Sequence, residues 1–98
     1  MAKQKIKLGD LVRVINISEK DKDLTIRDDP EMRTHELFRF CLGRDFKVWG
    51  FDEYGHIELH VDEDPAVRRK FGAHHHVWME LHEVKLVAKA KKVRQQKG

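Results

Sequence analysis

FKVWGFDEYGHIELHV, residues 46–61, is the stretch on which the fold turns. From Ile57 to Val61 it alternates: Ile57, Leu59 and Val61 point one way, and His56, Glu58 and His60 the other. That is the two-residue period of a half-buried strand. Phe46 to Phe51 carries the aromatic and β-branched residues that suit a pleated surface. Between the two runs, Asp52-Glu53-Tyr54-Gly55 is a turn signal, because glycine takes the positive φ that short hairpin loops need.

Two registers fit this hairpin. In the preferred one Val48 pairs with Leu59 or Val61. Phe46 and Val48 then join the apolar face, and Trp49 and Phe51 share the other face with His56, Glu58 and His60. A three-residue loop closed by a glycine bulge sets Trp49 against Leu59 instead, since a one-residue slip turns every side chain over. Gly50 lets the first strand bend strongly around a small core.

Outward from the hairpin, Gly9-Asp10 opens a strand over Leu11–Ile15, with Val12 and Val14 inward. Residues 16–29 read as a long exposed loop of mixed charge, anchored by Leu24 and Ile26. Asp29, Pro30 and Glu31 carry a helix-start signature of cap, first-turn proline and acid. Leu37, Cys41, Phe38 and Leu42 follow at helical spacing and Gly43 stops the run, so a helix is expected within residues 30–42. After the hairpin, Asp62-Glu63-Asp64-Pro65 repeats the start signature, and Gly72 ends a segment of one or two helical turns with Phe71 tucked inward. Ala73–Met79 forms a strand with Val77 and Met79 on one face and His74, His76 and Trp78 on the other. One tight turn over Glu80–Glu83 leads to a last strand, Val84–Val87.

Ninety-eight residues bound the chain to one domain with a modest core. Residues 1–7 form a flexible lead-in, 8–88 the domain and 89–98 a disordered basic tail. No apolar run exceeds three residues, which leaves no membrane-spanning helix, and the first ten residues hold no hydrophobic signal region. Cys41 has no second cysteine to bond with, so a cytoplasmic protein is expected. The net charge of +3 conceals an asymmetry: the last ten residues carry five bases and no acid, leaving 15 bases against 17 acids in residues 1–88. The basic character therefore belongs to the tail.

A Gly-Asp opening strand (Leu8 to Val14), a long loop, three further strands, a short helical turn and a final strand together resemble an SH3-like small barrel. The expected fold is mainly β with one or two short helices: a five-stranded SH3-like barrel with helical insertions over 16–43 and 62–72. The resemblance implies a binding module, not an enzyme. No tyrosine-rich acidic motif follows the first strand and no proline leads into the closing turn, so recognition of proline-rich peptides is not implied.

Three binding chemistries follow from the residues. If the strands carrying His56–Val61 and His74–Met79 pair antiparallel, one outer face gathers Trp49, Phe51, His56, Glu58, His60 and Trp78, a candidate surface for an unknown protein partner. Tryptophan is more often core, where it would close the barrel ends. On the same face His56, His60, His74 and His76 can converge on Zn²⁺ or Ni²⁺ with Glu58 as an oxygen ligand, although their spacing matches no closed zinc motif. Lys89, Lys91, Lys92 and Arg94 can attach to nucleic-acid phosphates, with the aromatic face stacking on bases. No cofactor and no membrane contact are expected, and the chain is read as a monomer. Enzyme chemistry has little footing, because Cys41 lies on an apolar stripe, where thiols are usually inert, and Ser18 lies in a charged loop.

Overall fold

A computed structural model of the chain describes residues 5–28, 30 and 33–90. Five strands form one antiparallel sheet: β1 (Leu11–Val14), β2 (Asp45–Phe51), β3 (Ile57–His60), β4 (His76–Met79) and β5 (Val84–Ala88), in the spatial order β4-β3-β2-β1-β5. Three short helices interrupt them, α1 (Glu19–Lys22), α2 (Thr34–Cys41) and α3 (Pro65–Phe71). Single 3-10 turns follow β3 and precede β5.

The hairpin satisfies both registers read from the sequence. Its loop has three residues: the Asp52 amide donates to the His56 carbonyl at 3.1 Å, and Gly55 takes φ +87°. The Asp52 carboxylate fixes the bend by accepting from the Tyr54 and His56 amides at 2.9 and 2.8 Å. Such a loop alone would place Trp49 opposite Leu59. A bulge at Trp49 and Gly50 absorbs the extra residue, so that Val48 pairs with Leu59 while Gly50 faces Glu58 and Phe51 faces Ile57. Phe46 and Val48 are buried as expected, whereas Phe51 has left the row that carries Glu58 and is half-exposed. Its expected place beside the histidines is thereby corrected.

One core lies beneath the sheet. Val12, Val14, Phe46, Val48, Ile57, Leu59, Val77, Met79 and Val84 supply it from the strands, and Leu37, Cys41 and Val67 from α2 and α3. The inward residues read from β1, β3 and β4 are therefore the ones buried. Closure into a barrel is not formed: among the described residues β4 and β5 are the two edges of an open sheet. The reason is the helical cover, which buries the inner face that a barrel would bury against itself.

The helices begin differently. α3 starts as its signature predicts, with the Asp64 carboxylate accepting from the Ala66 and Val67 amides at 2.8 and 3.3 Å and Pro65 in the first turn. α2 starts later than its signature, at Thr34, with Arg33 in a left-handed conformation before it. The expected cap, Asp29, lies outside the described residues. The capping oxygens come from Asp28, which accepts from the His35 and Glu36 amides at 3.0 and 2.9 Å. Arg44 ties the two helices together. Its guanidinium stacks over Phe40 and lies 3.3 Å from Asp64.

Residues 16–28 are not a plain loop. Ile17 is buried at 2% exposure and α1 follows it, while Leu24 and Ile26, the expected anchors, are exposed. Asp21, also buried, accepts from the Ser18 hydroxyl at 2.8 Å and stands 2.7 Å from His35 Nδ1. Arg39 donates to the Asp21 carbonyl. The segment is thus pinned to α2 by polar contacts that hydropathy does not reveal.

At the far side of the sheet Asp10, buried at the start of β1, joins both ends of the domain. It accepts from the Lys7 amide at 2.9 Å and the Ala90 amide at 2.7 Å, and Lys89 Nζ lies 3.5 Å away. The Ala90 and Lys7 amides hold its carboxyl below the usual carboxylate range against the opposing effect of burial, with Lys89 helping. A depressed carboxyl stabilises the fold fully above the unfolded-chain value and loses that contribution as pH falls through the folded one. The thermal midpoint should therefore drop as pH is lowered from about 5 to about 2. In Asp10→Asn it should be lower at pH 7 and fall less steeply with acid, as circular dichroism melts would record. A second pair of variants checks the anchor of the first loop: Ile17→Ala should cost about 2–5 kcal/mol in urea unfolding. Leu24→Ala should stay within about 0.5 kcal/mol of the parent.

Candidate functional site

The outer face of β2, β3 and β4 brings together residues that are far apart in sequence. β3 and β4 pair antiparallel with Glu58 opposite Trp78 and His60 opposite His76, so the alternation read in both strands puts all four on one surface. Three aromatic rings form a pile across it. The Trp49 and His60 rings are 4.5 Å apart and 3° from parallel, and the His60 and His76 rings are 3.7 Å apart and 5° from parallel. Lys47 Nζ caps the outer face of the Trp49 ring at 5.1 Å.

Polar contacts fix the pile at both ends. The Trp49 indole donates to Glu63 Oε1 at 3.1 Å. Glu58 Oε2 lies 3.1 Å from His60 Nε2 and 3.7 Å from His76 Nδ1. The Glu58 carboxylate fits because residue 50 is glycine: a Cβ there would stand 2.9 Å from Oε1. The bulge thus serves the site as well as the core. It turns Trp49 outward beside His60 and leaves a bare backbone under the carboxylate.

The tryptophans are not core. Trp49 is 43% exposed and Trp78 46%, which corrects the placement that closes barrel ends with indoles. Of the expected metal set only half comes together. Among the described residues Glu58, His60 and His76 present ligand atoms within 4.8 Å of one another. His56 instead pairs with Asp52 at 2.8 Å in the turn. His74, with φ +68°, lies before β4 and not on it; its amide donates to Asp62. The strand that alternation extended to Ala73 starts only at His76, because the chain bends back from α3 through these residues.

Two partners of the pile were not legible. Glu63 reads in the sequence as part of a helix start, and only the 3-10 turn over Val61–Glu63 carries it to the indole. Lys47 is one of twenty bases with no distinguishing neighbour, and its role depends on the bulge.

Elsewhere the candidates are occupied. Lys89 Nζ donates to the Lys5 carbonyl at 2.9 Å and pairs with Asp10, so this base serves the fold. Lys91, Lys92 and Arg94 lie outside the described residues. Ser18, Asp21 and His35 meet, but the serine hydroxyl donates to the carboxylate and not to the imidazole, the reverse of an activated nucleophile. No helix of the described residues is long and apolar enough to cross a membrane. No family model, curated protein or solved structure matches the chain.

Cys41 gives a direct check on the buried side of the domain. Burial pushes its thiol up to about 12, aided by the charge of Asp64 and opposed by Arg44. At pH 8 the thiolate is then scarce and shielded. Reaction with a chromogenic disulfide reagent should be slow in the folded protein and complete within seconds once denaturant is added.

Proposed function

We propose that the chain is a small non-catalytic binding module whose target is a protein, engaged by the outer face of β2–β3–β4. The observation that carries this reading is the exposure of two tryptophans on one surface, 43% for Trp49 and 46% for Trp78. Large aromatic side chains left in water on a small domain are costly unless something covers them, and tryptophan dominates the energy of protein interfaces. Trp49 is already held by its ring stack and its bond to Glu63, so a partner would not need to order it. Trp78 stands on β4, an edge of the sheet, beside the acidic group of Glu58.

The order of elements supports placing the domain in the SH3-like class. An opening strand follows Gly9-Asp10, a hairpin and third strand come next, and a 3-10 turn leads into a last strand that pairs with the first. On this reading the class occurs here in an open form with helices over its inner face. The non-catalytic part of the proposal is supported by the buried thiol of Cys41 and the misdirected hydroxyl of Ser18.

Capture of partners on the immobilised protein tests the reading. The double variant Trp78→Ala/Glu58→Gln, shown to be folded by circular dichroism, should lose at least about tenfold of any protein recovered by the parent. Equal recovery by the two proteins would overturn the proposal.

A further inference from the structure

We infer that Glu58, His60 and His76 form a binding site for a divalent transition metal of the zinc class, and that the metal takes His76 out of the ring pile. Two imidazole nitrogens with one carboxylate oxygen are a donor set that zinc accepts. Bonds of about 2.0–2.2 Å in tetrahedral geometry put neighbouring donor atoms about 3.4 Å apart. Glu58 Oε2 stands 3.1 Å from His60 Nε2 and 3.7 Å from His76 Nδ1, on either side of that spacing. The three ligand atoms all lie within 4.8 Å of one another.

The backbone supports the set. His60 and His76 are direct cross-strand partners, and Glu58 is two residues from His60 on the same face, so paired strands hold all three. Gly50 leaves room for the carboxylate. Trp49 covers the far side of the His60 ring and is itself tied to Glu63.

One feature opposes binding and shapes how it must occur. A metal lies in the plane of each imidazole that ligates it, because the nitrogen lone pair does. The His60 and His76 rings are parallel within 5° and 3.7 Å apart, and no ion can lie in both planes. One ring must turn. His60 is sandwiched between Trp49 and His76, with its side chain 20% exposed, whereas His76 is 45% exposed on the edge strand. His76 therefore rotates toward Glu58 while His60 keeps its contact with Trp49. Three protein ligands on an open face leave the fourth position to water or to a group from outside. The cost of unstacking limits affinity to the micromolar range.

The test is a Zn²⁺ titration of the full chain, followed by calorimetry and by histidine ring resonances in NMR spectra. Binding of one ion per chain is expected, with the His76 resonances losing the ring-current shift from His60. Glu58→Gln and His76→Ala should each weaken binding at least about tenfold, an effect at least as large as loss of an outer partner. Gly50→Ala should weaken it too, since its methyl displaces the carboxylate. The paired substitution His74→Ala/His75→Ala should change affinity less than twofold, which separates this site from nonspecific binding by the His74-His75-His76 run. Affinity lost with His74 and His75, or kept without Glu58, or no saturable binding by the parent, would overturn the inference. Because Trp78 contributes no ligand, Trp78→Ala should bind Zn²⁺ as the parent does, whatever becomes of partner capture.

Discussion

One extra residue in β2 reconciles two demands that would otherwise conflict. The three-residue loop, braced by Asp52 and turned by Gly55, fixes how the two strands leave the bend. The core demands that Val48 lie over Leu59. These requirements differ by one position, and a strand without a bulge would satisfy the turn while pushing Val48 into solvent and Trp49 into the core. The bulge at Trp49 and Gly50 settles the matter by leaving both residues opposite Glu58. The inward row, the outward tryptophan and the space beneath a carboxylate all follow from that one irregularity.

Away from the hairpin, short elements are held by carboxylates that accept from backbone amides. Asp64 caps α3, Asp28 caps α2, Asp52 braces the hairpin and Asp10 gathers the ends. Helices of four to eight residues are too short to be stable alone, and such contacts fix where each begins. This accounts for much of the 38% charged composition, which in a chain this small first suggests a merely solvated surface.

What could be read in advance was whatever is periodic. Alternation placed Val12, Val14, Ile57, Leu59, Val77 and Met79 inward, and the proline-led signature placed α3. What could not be read depended on contacts across the chain. Leu24 and Ile26 looked like anchors because they are apolar, yet Ile17 is the buried one, drawn in by the chain's path out of β1 toward α1. The choice of His60 and His76 from seven histidines needed the β3–β4 register and the late start of β4. Barrel closure failed as an expectation because the apolar stripe of α2 was treated as a flap over an opening, when it is half of the core's cover.

The clasp made by Asp10 has an architectural consequence. Lys7 and Ala90 bond to the same side chain, and Lys89 reaches back to the Lys5 carbonyl, so the first and last described segments run side by side. A short linker could bridge residues 5 and 90 without crossing the domain, and new ends could be cut at the exposed hairpin tip around Tyr54. The domain is thereby suited to circular permutation, and to insertion as a cassette within a host loop.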